Sequence, residues 1–169
     1  MTPRAREIAG VARTVLEESG PAALTMRTLA DRLGIKAPSL YKHFPDKRSV
    51  EAELIAQVLR EMAEAMEAAQ ARAPGSLPVL GEAYRAYALA HPHLYRLATE
   101  RPLPRDLLPP GLEDRTARPL LRACGDDLDL ARAVWAFAHG MVILELQDRF
   151  PADADLPAAW TRGLEALRP

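Results

Sequence analysis

The sequence predicts an all-α fold with two parts, a small N-terminal three-helix module and a longer helical body. Apolar residues recur at spacings of three and four along the chain, and no segment shows the alternation of a β-strand. Aromatic residues make up only 5% of a chain that is 49% hydrophobic, so Ala, Leu and Val must build the core, a composition that favours helices. The 169 residues suffice for two compact parts, predicted at 1–46 and 47–169.

The first two helices are predicted by an apolar stripe and a capped start. Ile8 to Leu16 carries apolar residues on one helical face and ends near Gly20. Thr25 is a suitable N-cap for a short second helix, which Gly34 ends because glycine accepts the left-handed conformation of a tight turn. These residues predict two packed helices joined to a third by a glycine turn.

The third helix is predicted to begin at Ala37–Pro38 and to run to about His43, with Leu40 and Phe44 facing helices 1 and 2. Ser39, Tyr41, Lys42 and His43 would then face outward. Such a pair of helices is typical of a helix-turn-helix, in which the second helix lies in the major groove of DNA. The alternative is an ordinary three-helix fragment with a solvated basic face.

The charge distribution favours the DNA-binding interpretation. All three lysines lie between Thr25 and Lys47. Residues 1–49 hold nine basic and five acidic side chains, whereas residues 50–169 hold thirteen and eighteen. A basic module beside an acidic body suits double-stranded DNA as the partner. Arg27 and Lys47 are predicted to hold phosphates on either side of the third helix.

The body is predicted as six further helices. Asp46 is a cap for a long helix to about Ala71, and Ser76 is a cap for the next helix, to about His91. A helix from Pro92 to about Thr99 precedes a proline-rich loop. The remaining helices are predicted to end near Cys124, with Pro119 as a kink or break, to span Asp127 to about Arg149, and to end near Leu167.

The helix predicted from Asp127 to about Arg149 is apolar nearly all round, which indicates burial on more than one side. One side would face the body and another a second copy of the chain, so a homodimer is predicted. Arg132, His139 and Glu145 interrupt this stretch, so no membrane span is expected. The N-terminus lacks a signal-peptide pattern, and Cys124 is the only cysteine, which together predict a cytoplasmic protein.

The stretch from Thr25 to Lys47 resembles the DNA-binding module of the TetR (tetracycline-repressor-like) family of bacterial transcriptional regulators. The resemblance covers about residues 4–55, and Pro38 departs from the small residue that is common there. It rests on Thr25, Leu29-Ala30, Leu33-Gly34-Ile35, Ser39-Leu40-Tyr41, Phe44 and Asp46-Lys47.

The resemblance implies that Tyr41 and Lys47 contact the DNA backbone and that the groove lies near the start and the outer face of the third helix. The whole predicted DNA-binding set is Thr25, Arg27, Lys36, Ala37, Pro38, Ser39, Tyr41, Lys42, His43 and Lys47. For His43, packing against the fourth helix is an equally good interpretation.

The resemblance also implies a homodimer through helices at about 128–148 and 157–168, and a repressor that a small-molecule effector releases from a palindromic operator. Trp135, His139 and Gly140 are similar to the Trp-His-Gly pattern of one TetR subgroup. The predicted effector-contacting residues are Tyr84, Tyr87, His91, Tyr95, Trp135 and His139, each of which also fits ordinary packing.

No catalytic motif supports an enzyme, because the chain has no phosphate-binding glycine loop, nucleophile elbow or close carboxylate pair. His91 and His93 are separated by one residue at a helix start, a spacing that does not place both on one face, so neither a metal site nor a cofactor is predicted. The main alternative is an effector-independent DNA-binding or architectural protein.

Overall fold

The computed structural model describes residues 1–168, which contain nine α-helices and no β-strand. The all-α prediction is therefore confirmed. The helices are α1 (Pro3–Ser19), α2 (Met26–Arg32), α3 (Ala37–Tyr41), α4 (Lys47–Arg72), α5 (Leu77–Ala90), α6 (Pro92–Thr99), α7 (Leu112–Ala123), α8 (Leu128–Leu146) and α9 (Leu156–Ala166).

Two helices are shorter than the sequence pattern predicts. The third was expected to reach His43, but α3 ends at Tyr41, and the chain then turns toward Pro45, a residue that disfavours helix before it. The eighth was expected to reach Arg149, but α8 ends at Leu146. Asp148 there adopts a left-handed φ of 51°, and the Arg149 amide donates to the Leu144 carbonyl. α7 runs through Pro119 without a break.

The chain forms two compact units, each described by itself. The head unit comprises Met1–Leu59 and His91–Pro110, and the body unit comprises Arg60–Ala90 and the chain from Gly111 onward. The predicted division after residue 46 does not coincide with these units. α4 contributes its first half to the head unit, where Val50 and Leu54 are fully buried, and α6 lies against α1 in the same unit.

The head unit has a core built mainly from aliphatic side chains. α1 and α2 contribute its first part, α3 adds Leu40, and α6 adds Leu94 and Tyr95, all fully buried. Burying a side chain of this size stabilises a fold by about 1.5–3 kcal/mol. The largest fully buried side chains of the unit are Ile8, Leu16, Leu24, Leu29, Leu40, Leu54, Leu94 and Tyr95.

The body unit is held by close helix approaches. Gly81 of α5 faces Leu164 and Trp160 of α9, and Gly163 of α9 faces the ring of Phe137 on α8. Glycine is required at such contacts because a Cβ atom would occupy the space of the neighbouring side chain. None of the helices in residues 1–168 is both long and apolar enough to cross a bilayer.

Candidate nucleic-acid interface and effector cavity

The turn between α2 and α3 is built by local hydrogen bonds. The Thr25 Oγ1 accepts the Thr28 amide at 3.0 Å and so caps α2. Gly34 takes a φ of +63°, a conformation that favours glycine, and the Ile35 amide donates to the Ala30 carbonyl at 3.0 Å. The residues that the sequence assigns to the cap and to the turn therefore occupy those positions.

α3 presents a polar outer face because its one buried residue, Leu40, is fully enclosed and Phe44 follows it into the core. Tyr41 keeps 50% of its surface exposed, while Ala37 and His43 are half-buried. The other predicted residues of this face, Lys36, Pro38, Ser39 and Lys42, are exposed. The predicted inner and outer sides of α3 agree with the structure.

The cationic side chains of this surface differ in their intramolecular ion pairs. Within residues 1–168, Lys36 and Lys42 have no ion pair or side-chain hydrogen bond. Arg27 has 94% of its side chain exposed and lies 4.0 Å from Asp31, a weak interaction in water. Two lysines are thus available to an anion without breaking an intramolecular contact.

The start of α4 forms the second part of the surface. The Asp46 Oδ1 accepts the Ser49 amide at 2.7 Å, which confirms the predicted cap. Lys47 has 41% of its side chain exposed, and its Nζ lies 3.5 Å from Glu51 Oε1. The head unit holds twelve basic and nine acidic side chains, a charge of +3, so the surface belongs to the more positive unit.

The loop after α6 also reaches the start of α4, a contact that the sequence analysis missed. The Arg48 guanidinium donates to both Asp106 oxygens, at 2.8 and 2.5 Å. This hydrogen-bonded pair lowers the pKa of Asp106 and raises the pKa of Arg48. No local pattern identifies the pair, because its residues are 58 positions apart.

The six predicted effector-contacting residues are divided between the units. His91 and Tyr95 belong to the head unit, where His91 Nδ1 lies 2.6 Å from Glu17 Oε1 and Tyr95 is fully buried. Tyr84, Tyr87, Trp135 and His139 belong to the body unit. Of the four residues in the body unit, Tyr84 and Trp135 line the same cavity.

Within the body unit, an apolar cavity of about 20 Å³ lies beside Tyr84 and Trp135. A space of this size holds about one water molecule, whereas ligand pockets usually measure about 300–1,000 Å³. Tyr87 instead donates its hydroxyl to Glu61 at 2.8 Å. The cavity is lined by Met66, Leu77, Leu80, Gly81, Tyr84, Leu120, Val134, Trp135, Ala138 and Leu164.

A larger surface groove of about 430 Å³ lies between α4 and α7 in the body unit, and none of the predicted residues lines it. Gln70 contributes to its wall, and the Oε1 of Gln70 is buried with no hydrogen-bond partner among residues 1–168. The groove is lined by Glu67, Gln70, Ala71, Pro74, Arg118, Pro119 and Arg122.

A buried carboxylate joins three helices of the body unit. Only 6% of the Glu145 side chain on α8 is exposed. It accepts two hydrogen bonds from Arg85 Nε, at 3.0 and 2.9 Å, one from Arg85 Nη2 at 2.6 Å, and one from the Trp160 indole N–H at 2.6 Å. The sequence analysis treated Glu145 only as an interruption of an apolar stretch.

The exposed lysines at the two ends of α3, the capped turn and the all-helical body define a helix-turn-helix regulatory protein. Residues 8–54 match the family model described as bacterial regulatory proteins, tetR family, and residues 77–167 match the tetracyclin repressor-like C-terminal domain. The second match alone covers more than half of the chain. The chain belongs to the TetR family of transcriptional regulators.

Known relatives agree with this assignment. The chain is 33% identical over 164 aligned residues to the uncharacterized HTH-type transcriptional regulator Rv0681 of Mycobacterium tuberculosis, with 89% of this chain and 73% of that protein covered. A TetR variant from Acinetobacter baumannii AYE, solved with minocycline, is 26% identical with a TM-score of 0.62, over 95% and 91% of the two chains. The multidrug binding protein EbrR, solved with imidazole, has the same fold at 20% identity, with a TM-score of 0.75 over 100% and 97%.

Proposed function

We propose that this TetR-family regulator is a homodimeric repressor that binds a palindromic operator through α3 and the start of α4. The observation that carries the proposal is the exposed surface at α3, where Lys36 and Lys42 at its two ends have no ion pair or side-chain hydrogen bond within residues 1–168 and Tyr41 is half exposed. The proposed DNA contacts are the ten predicted residues: Thr25, Arg27, Lys36, Ala37, Pro38, Ser39, Tyr41, Lys42, His43 and Lys47.

The proposed contacts divide by chemistry. Lysine side chains and the Tyr41 hydroxyl suit phosphate oxygens, which position a protein on DNA without reading its sequence. Ser39 and His43 carry donors and acceptors that suit base edges in the major groove. The Thr25 hydroxyl already caps α2, so its contribution to DNA binding is mainly to fix that helix.

The proposed dimer uses α8 and α9, the observed forms of the helices predicted at about 128–148 and 157–168. Val134, Ala138 and Val142 are buried on one side of α8. Leu128 and Trp135, on another side, remain 53% and 51% exposed. Large apolar side chains exposed together on one helix side favour association. Two heads on one DNA face would lie about 34–36 Å apart, one helical turn.

The DNA proposal is tested by selecting genomic fragments that the protein retains and measuring affinity against salt concentration. Lys42→Ala is expected to weaken binding to all retained fragments and to reduce the salt slope by about 0.9 per head, because one phosphate contact is lost. The control Arg115→Ala removes one exposed body-unit cation, paired with Glu67, and is expected to leave the slope unchanged. Absence of specific retention at any salt concentration would refute the proposal.

The dimer proposal has its own test in sedimentation. The wild-type chain is expected to sediment as a dimer at micromolar concentration, and Trp135→Glu as a monomer, because a charge would replace a half-exposed indole on the proposed interface. Arg115→Ala, which breaks an exposed ion pair with Glu67 outside α8 and α9, is the control and is expected to remain a dimer. A monomeric wild-type protein would exclude this dimer.

We further propose that a small apolar effector acts at the body-unit cavity beside Tyr84 and Trp135. The lining is apolar, but a volume of about 20 Å³ requires side chains to move before a ligand enters. The small volume of the cavity equally favours the second candidate function, an effector-independent DNA-binding protein. For either function, the cytoplasm is the proposed location, because the partner is chromosomal DNA.

A thermal-shift screen with small apolar compounds separates the two candidates. An effector is expected to raise the melting temperature and to release DNA, and Ala138→Val is expected to abolish both responses by filling the cavity. Responses that persist in Ala138→Val would place the effector elsewhere. DNA binding that no compound alters would favour the effector-independent protein.

A further inference from the structure

The segment between α6 and α7 brings a cation to the edge of the proposed DNA surface. Arg101 Nη1 lies 3.5 Å from Glu51 Oε1, and Lys47 Nζ lies 3.5 Å from the same oxygen. The two nitrogens are therefore at most twice that distance apart. Both residues belong to the head unit, although they are more than fifty positions apart in sequence.

The segment is anchored where it meets α4. Asp106 accepts two hydrogen bonds from Arg48, the residue that follows Lys47. Pro104 is buried, and its carbonyl accepts the Leu107 amide at 2.9 Å, which forms a turn. These contacts hold the segment beside the first turn of α4.

The shared carboxylate is less exposed to water than the two cations. The exposed fractions are 57% for the Arg101 side chain, 41% for Lys47 and 16% for Glu51. Both distances of 3.5 Å exceed the 2.7–2.9 Å of a strong charge-assisted hydrogen bond. Glu51 therefore neutralises the two cations only loosely, and each retains donors for another anion.

We propose that Arg101 contacts a backbone phosphate of the operator beside the one that Lys47 contacts, and that DNA takes over the contacts that both cations make with Glu51 in the free protein. The guanidinium presents several donors to phosphate oxygens, so Arg101 can hold its own phosphate next to the Lys47 contact. The inference rests on the proposed function of Lys47 as a phosphate contact. It assigns a DNA contact to a segment outside the helix-turn-helix.

The test measures the affinity for a retained fragment as a function of salt concentration. Arg101→Ala is expected to reduce the salt slope by about 0.9 per head, which at 0.1 M salt lowers affinity about 8-fold per head through counterion release. Arg101→Lys is expected to keep the slope, because the charge remains. Arg115→Ala, the charge-matched control, is expected to bind as the wild type does.

A second variant separates a phosphate contact from a merely structural ion pair. Glu51→Gln removes the competing carboxylate, so it is expected to tighten DNA binding while Arg101→Ala weakens it. If Arg101 only fixed the loop to Glu51, both variants would weaken binding and neither would change the slope. That result, or an unchanged slope in Arg101→Ala, overturns the inference.

Different results would refute DNA binding by the protein and the Arg101 contact. Wild-type protein that retains no fragment refutes the DNA proposal and the inference with it. A normal loss of slope in Lys42→Ala together with a wild-type slope in Arg101→Ala refutes the inference alone. Circular dichroism of each variant confirms that it is folded before its binding is compared.

Discussion

Replacing Glu145 by Ala should strongly destabilise the protein, because Glu145 connects three helices of the body unit. The side chain is 6% exposed and accepts hydrogen bonds from Arg85 on α5 and Trp160 on α9. Removing one member of a buried ion pair leaves an uncompensated charge and unpaired donors. The penalty comes from those groups more than from the lost contact itself.

The magnitude follows from the exposure of each group left behind. A buried pair broken on one side costs about 3–5 kcal/mol, but 28% of the Arg85 side chain is exposed, so water reduces that contribution to about 1–2 kcal/mol. Trp160 is 5% exposed, and its unpaired indole N–H costs about 1–2 kcal/mol more. The expected loss of unfolding free energy is therefore about 2–4 kcal/mol, or about 4–16 °C in Tm.

The assay is urea unfolding followed by circular dichroism at one protein concentration, which keeps any contribution of dimerisation constant. Glu165→Ala is the matched control, because it removes an exposed pair with Arg168 and should cost less than about 1 kcal/mol. A double-mutant cycle with Arg85→Ala should show a coupling of about 1–2 kcal/mol. A Glu145→Ala variant as stable as the control, with no coupling to Arg85, would refute the reasoning.

Two further predictions concern a close helix contact and an acid-sensitive ion pair. Gly163→Ala should destabilise the protein by about 1–3 kcal/mol in urea unfolding, because a Cβ would lie 2.5 Å from Cε2 of Phe137. The control Gly10→Ala places its Cβ in open space and should be neutral or stabilising. Equal effects of the two variants would contradict this prediction. Arg48 lowers the pKa of Asp106 below its ordinary 3.8, so the pair stabilises above that pH and loses its effect as pH falls through the lower folded-state pKa. An NMR titration of Arg48→Ala should show that pKa returning upward, and an unmoved pKa would exclude the pair in solution.

The sequence predicts the helix-turn-helix well because local contacts determine it. The Thr25 cap and the Gly34 turn depend on residues within a few positions of one another. Helix ends were less predictable. α8 ends early because Asp148 adopts a left-handed conformation, which apolar periodicity does not indicate.

The predicted effector-contacting residues illustrate what periodicity leaves open. Tyr84 and Tyr95 both fit an apolar helical face, yet one lines the body-unit cavity and the other is enclosed in the head unit. Their separation depends on the chain passing from one unit to the other at His91. Spacing along a helix identifies a buried side, but it does not identify the core to which that side belongs.

The head unit is formed by two separate stretches of the chain, and this arrangement provides a covalent route from the body unit to the proposed DNA surface. The chain crosses between the units after Leu59, Ala90 and Pro110, and the last two crossings enclose α6 and the segment that holds Arg101. That segment contacts the first turn of α4 through Glu51. A rearrangement of the body unit that displaced the chain at either crossing would therefore also move the segment that holds Arg101, because the two are covalently joined. A module that ended at residue 46 would have neither this route nor the burial that α6 gives to α1.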